Sequence, residues 1–149
     1  MANWLNEDEM RAWIAFLRAA SLVNRSVEDQ LKADAGLSHL QYEILVHLAS
    51  SEEGERRMGD LAKVLLNSKS GLNYQVNQME KQGLVERRTC PSDSRSIFAR
   101  ITKKGLRKLE ESAPGHVDRV REALIDVLTP DEQRTLTAAL ERVYERLRS

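Results

Sequence analysis

Apolar residues recur at three- and four-residue spacing through most of the chain, and each run opens on a capping signal. Asn6 has Glu9 three places on, with Leu5 and Met10 at the positions of a hydrophobic staple. Met10, Trp13, Ile14, Leu17, Ala20, Val27 and Leu31 continue the stripe to a stop at Gly36, which predicts a helix of about 29 residues, roughly 43 Å long. Ser38 and Gln41 form a second capping box ahead of Leu40, Ile44, Leu45 and Leu48, predicting a shorter helix to about Ser50; residues 51–57 are polar and end it.

From Met58 the pattern is compact. A short helix carries Leu61, Ala62 and Leu65, a turn falls near Asn67, and Ser68 caps a helix running to Gln82 whose buried stripe is Leu72, Val76 and Met79. Gly83 fits a Schellman stop with Leu84 against Met79. Val85 to Cys90 and Ser96 to Thr102 alternate as two strands, joined by the turn Pro91-Ser92-Asp93-Ser94-Arg95. Thr102 caps a further helix with Leu106, Leu109, Val117, Val120 and Leu124, expected to kink or break at Pro114-Gly115. Thr129-Pro130-Asp131-Glu132 opens a last helix with Leu136, Leu140, Val143 and Leu147 on one face. The expected fold is mainly α with a small β-hairpin wing (α+β), in one domain of residues 1–149: a winged helix-turn-helix over 37–105, with dimerisation helices over 1–36 and 106–149.

Net charge is zero, yet its distribution is uneven. Residues 1–55 carry 4 basic and 10 acidic side chains, residues 56–108 carry 13 and 4, and residues 109–149 carry 6 and 9. A middle segment of net +9 between acidic ends suits a polyanion-binding module flanked by assembly segments. A rotation of 100° per residue puts Ser70, Tyr74, Asn77, Gln78 and Lys81 on the outward face of the second short helix, with Asn73 at its edge. These residues are the candidate readers of a major groove. Ser68, Lys69 and Ser70 at the helix N-terminus suit phosphates. Asn and Gln pair best with adenine, which points to an A·T-rich site. In the hairpin, Asp93 is placed to hold the Arg95 guanidinium extended for a minor groove; the alternative is a turn in which Asp93 caps its own backbone. Arg87, Arg88, Arg100, Lys103 and Lys104 are phosphate-lining or simply solvated.

Asp60-Leu61-Ala62, Ser68-Lys69-Ser70, the run Met79 to Arg88, Asp93-Ser94-Arg95 and Ile101-Thr102-Lys103-Lys104-Gly105 together resemble the MarR family of bacterial winged-helix regulators. The resemblance implies a homodimer with intertwined terminal helices on double-stranded DNA at a pseudo-palindromic operator, often released by a small aromatic or anionic effector. Gly71, Tyr74 and Ser94 depart from residues common in that family. For an effector, Trp13, His39, Tyr42 and His116 offer aromatic faces and imidazoles, though Trp13 and Tyr42 also read as core and the histidines as surface.

The rest is exclusion. One cysteine, Cys90, and scattered histidines give neither a disulfide nor a metal set, and no cofactor motif is present. Cys90 lies among arginines, which leaves a redox-responsive regulator as an alternative, but redox-sensing relatives place their cysteine in the first helix. Catalytic motifs are missing, so an enzyme is not expected; the remaining rival is a winged-helix module for protein contacts. No apolar run spans a bilayer, and a cytoplasmic protein is expected.

Overall fold

The computed structural model describes residues 2–90 and 92–148. In chain order the elements are α1 (Glu7–Ala35), α2 (His39–Ala49), β1 (Glu55–Arg57), α3 (Met58–Val64), α4 (Lys69–Lys81), β2 (Val85–Cys90), β3 (Asp93–Ile101), α5 (Lys103–Ala123) and α6 (Pro130–Leu147), with single 3-10 turns at Glu52–Gly54 and Ile125–Val127. The caps explain the boundaries. Asn6 Oδ1 accepts from the Glu9 amide at 2.8 Å while the Glu9 carboxylate accepts from the Asn6 amide at 2.9 Å. Ser38 with Gln41, and Thr129 with Glu132, repeat this reciprocal pairing.

The strands form an antiparallel sheet in the order β1-β3-β2. Two features differ from the sequence expectation. Glu55-Arg56-Arg57, within the polar stretch 51–57, pairs with the outer edge of β3 (Glu55 opposite Arg100, Arg57 opposite Phe98). Three charged residues carry no alternation, so backbone pairing with a distant partner defines this strand. Second, β3 begins at Asp93 instead of Ser96, and Cys90 pairs with Asp93 across a register shift at Thr89/Cys90. The expected five-residue turn is therefore mostly strand; its first residue, Pro91, lies outside the described residues.

Of the two outcomes expected at Pro114-Gly115, a break does not occur: α5 continues through Pro114 as helix. Proline removes one N–H donor from the ladder. Just beyond it Gly115 packs so closely on α1 that a Cβ on it would lie 3.1 Å from Gln30 Nε2.

The chain forms two compact units, residues 28–115 and residues 1–27 with 116–149. The central unit has an apolar core of Leu31, Leu37, Ile44, Leu45, Leu48, Leu61, Leu72, Val76 and Met79, all fully buried. Across it Gln41 Nε2 donates to Gln75 Oε1 at 3.1 Å, tying α2 to α4. At the end of α4, Gly83 adopts φ +75°, the Leu84 amide donates to the Met79 carbonyl at 3.0 Å, and both side chains are buried: the expected Schellman stop. The α3–α4 turn instead places a non-glycine residue, Leu66, at φ +52°.

In the terminal unit Arg119 of α5 donates to the Ser26 carbonyl and hydroxyl of α1, at 3.3 and 3.1 Å. Its apolar stripe is largely uncovered. Met10, Trp13, Phe16, Leu17, Val117, Leu140, Val143, Tyr144 and Leu147 are exposed, and α6 has no buried residue.

Gly105, in the first turn of α5, is fixed by space. A Cβ there would stand 2.2 Å from the Leu84 carbonyl oxygen and 2.8 Å from Ile101 Cγ1, and the first of these is backbone that cannot swing aside. Gly105→Ala should destabilise the protein by about 1–3 kcal/mol, lowering its Tm. An unchanged melting curve would show that α5 and the end of α4 are farther apart than described.

Candidate nucleic-acid interface

The second helix of the helix-turn-helix is set by its buried stripe and its cap. Ser68 Oγ accepts from the Gly71 amide at 3.0 Å, starting α4, and Leu72, Val76 and Met79 face the core. On the opposite side Ser68, Lys69, Ser70, Asn73, Tyr74, Asn77 and Lys81 are exposed and Gln78 is half-buried. Tyr74 leaves 60% of its surface in solvent, unusual for a phenol with no wet role.

Beside this face the wing and the start of α3 frame a groove of about 600 Å³. It brings Lys69, Ser70 and Asn73 together with Arg95 and Ser96 of β3. Tyr74, Asn77, Gln78 and Lys81 lie farther along α4 and line a shallower concavity. The Arg95 side chain is 93% exposed. Asp93 Oδ1 accepts from the Arg95 amide at 3.0 Å and lies 3.5 Å from Arg95 Nε, while Oδ2 accepts from Ser96 Oγ at 3.1 Å. Both sequence readings of Asp93 are therefore present at once: it caps the backbone and faces the guanidinium. The amide and hydroxyl donors hold its carboxyl below the usual range.

Arg87 and Arg88 of β2 are engaged. Arg88 donates through Nε and Nη2 to the two carboxylate oxygens of Glu55, at 2.5 Å each, and lies 4.7 Å from the Phe98 ring centroid. Arg57 flanks the same ring at 5.6 Å. The Arg88 hydrogen bonds lower the Glu55 pKa, against the opposing effect of burial. Arg87 donates to Asn73, Asn77 and Glu80 on α4. Lys104 Nζ donates to the Gln82 carbonyl at 2.7 Å, and Lys104, Arg100 and Lys103 are all exposed. Glu55 and Arg57 carried no signal in the sequence, because a three-residue charged strand shows no period.

The residues considered for an effector fall in different units. Trp13 and His116 belong to the terminal unit, where Trp13 is 50% exposed with its ring 6.5 Å from that of Phe16. His39 and Tyr42 belong to the central unit, where His39 Nε2 lies 3.4 Å from Glu43 and Tyr42 is buried, which raises its pKa. Cys90 Sγ is 3.1 Å from Ser92 Oγ, and hydrogen bonds from Ser92 pull the thiol below its ordinary value. No helix among the described residues is long and apolar enough to cross a membrane.

A helix-turn-helix followed at once by a basic hairpin defines the class: a winged-helix DNA-binding regulator. Comparison with known proteins places it further. The MarR family model matches residues 35–96. The chain is similar to Sco3205, a MarR family transcriptional regulator of Streptomyces coelicolor solved in complex with DNA, with 40% identity, TM-score 0.97, and 100% and 93% of the two chains covered. AbsC, a MarR family regulator of the same organism, is 40% identical with TM-score 0.95 over 99% of both chains. The HTH-type transcriptional regulator MhqR of Bacillus subtilis is 27% identical over 139 residues, 93% of each chain. The chain belongs to the MarR family, whose members regulate transcription and are not enzymes.

The Glu55–Arg88 pair gives a pH-dependent stability. Because its carboxyl is held below the ordinary 4.5, the pair stabilises the fold fully above that value and the contribution is lost as pH falls through the lowered one. Glu55→Gln should lower the Tm at neutral pH, and the gap from the parent should close in acid as the parent's carboxyl protonates. A gap that stays constant with pH would rule out an ion pair.

Proposed function

We propose that the protein represses transcription as a homodimer on a pseudo-palindromic duplex, with α4 in the major groove, the Arg95 tip in the minor groove, and a small aromatic or anionic effector as the releasing signal. The observation that carries this reading is the exposed face of α4, Ser70 to Lys81, beside a wing whose Arg95 is 93% exposed and steered by Asp93. Lys69 and the capped N-terminus of α4 suit a phosphate, since helix dipole and cation act in the same direction. The dimer follows from the bare apolar stripe of α1, α5 and α6, which needs cover that a second copy supplies by twofold symmetry. Two recognition helices would then stand roughly 34 Å apart, one turn of duplex. Cytoplasmic residence fits that task.

Arg95→Ala should weaken operator binding by about tenfold or more, while Cys90→Ser leaves it unchanged, with log K falling steeply against log salt. The opposite order of effects would favour a redox role for Cys90, and a flat salt response with no preferred duplex would favour a protein partner. Sedimentation should show a dimer at micromolar concentration; a folded monomer there would remove the twofold model.

A further inference from the structure

Building on the DNA-binding reading, we propose that Arg87 of β2 sets the base preference of α4 by turning Asn73 and Asn77 into hydrogen-bond donors toward the duplex. The Arg87 guanidinium lies along the wing-side flank of α4, only 21% exposed. Its Nη2 donates to Asn73 Oδ1 at 2.6 Å and to the Asn73 carbonyl at 3.1 Å, and its Nη1 donates to Asn77 Oδ1 and, at 2.7 Å, to Glu80 Oε1. A guanidinium has five donors and no acceptor, so an amide beside it must present oxygen, never NH₂. Both carboxamides are thereby fixed in one sense: oxygen toward Arg87, NH₂ away from it.

This alters what the helix can read. Bidentate recognition of adenine needs the oxygen and the NH₂ of one amide side by side on the base edge. With the oxygens turned to Arg87, the NH₂ groups lead, and they complement guanine, which presents two acceptors, O6 and N7, where adenine presents N7 beside an N6 donor that opposes them. The A·T preference expected from Asn and Gln as residue types is thus replaced, at the Asn73 and Asn77 positions, by a preference for G·C pairs. Glu80 neutralises the guanidinium locally, so Arg87 is a positioning residue whose charge adds little to phosphate attraction.

The test is selection of bound duplexes from a random pool with the parent and with Arg87→Met, which keeps the stem and removes the donors. The parent should select a G·C pair over an A·T pair by about tenfold at one position in each half-site. In Arg87→Met that preference should fall to about twofold, while the Glu80 carboxylate left unpaired lowers affinity for all duplexes alike, so the selected motif is the readout. Asn77→Asp, isosteric and still able to pair with Arg87, should lose the same preference, which covers the case of a poorly folded Arg87 variant. An A·T pair at that position in the parent, or an unchanged motif in Arg87→Met with a parental melting curve, would overturn the proposal. A parent that selects no motif would instead overturn the DNA-binding reading itself, and this inference with it.

Discussion

Leu72, Val76 and Met79 leave water together on one side of α4, and that burial decides how every polar group of the recognition surface is aimed. Each such side chain contributes about 1.5–3 kcal/mol when fully buried, so a rotation of the helix that hid Tyr74 or Lys81 would forfeit several times what any single polar contact returns. The Schellman stop at Gly83 and the Cβ-free contact of Gly105 with Leu84 then fix where the wing leaves the helix. Helix face and hairpin consequently belong to one compact unit.

Within that unit the basic charge is sorted into two kinds. Arg87 and Arg88 are held by Glu80 and Glu55 and serve to join strand to helix and strand to strand. Lys69, Lys81, Arg95, Arg100 and Lys103 are exposed cations of the same unit. A count of charges along the chain overstates the positive potential available to a polyanion, because paired arginines are already compensated within the fold. What they contribute instead is order, holding neighbouring amides and an aromatic ring in set orientations.

The terminal unit obeys the opposite logic. Its helices have well-made caps and regular apolar spacing, yet Trp13, Leu17, Leu140 and Val143 stay exposed. Local signals are sufficient to form helices, and they do so without covering that stripe.

The sequence by itself determined the helices, their caps, the helix-turn-helix, the outward face of α4 and the existence of a hairpin, since each depends on near neighbours at a period of 3.6 or 2 or on a capping residue three places away. It did not reveal β1 or the early start of β3, because these rest on pairing with Arg100 and Phe98 and on a register shift opposite Asp93. Among the candidate site residues, exposure was legible from helical rotation. The orientation of Asn73 and Asn77 was not. That was decided by Arg87, ten and more residues away, whose donors could find those amide oxygens only after the strand had folded back along the helix.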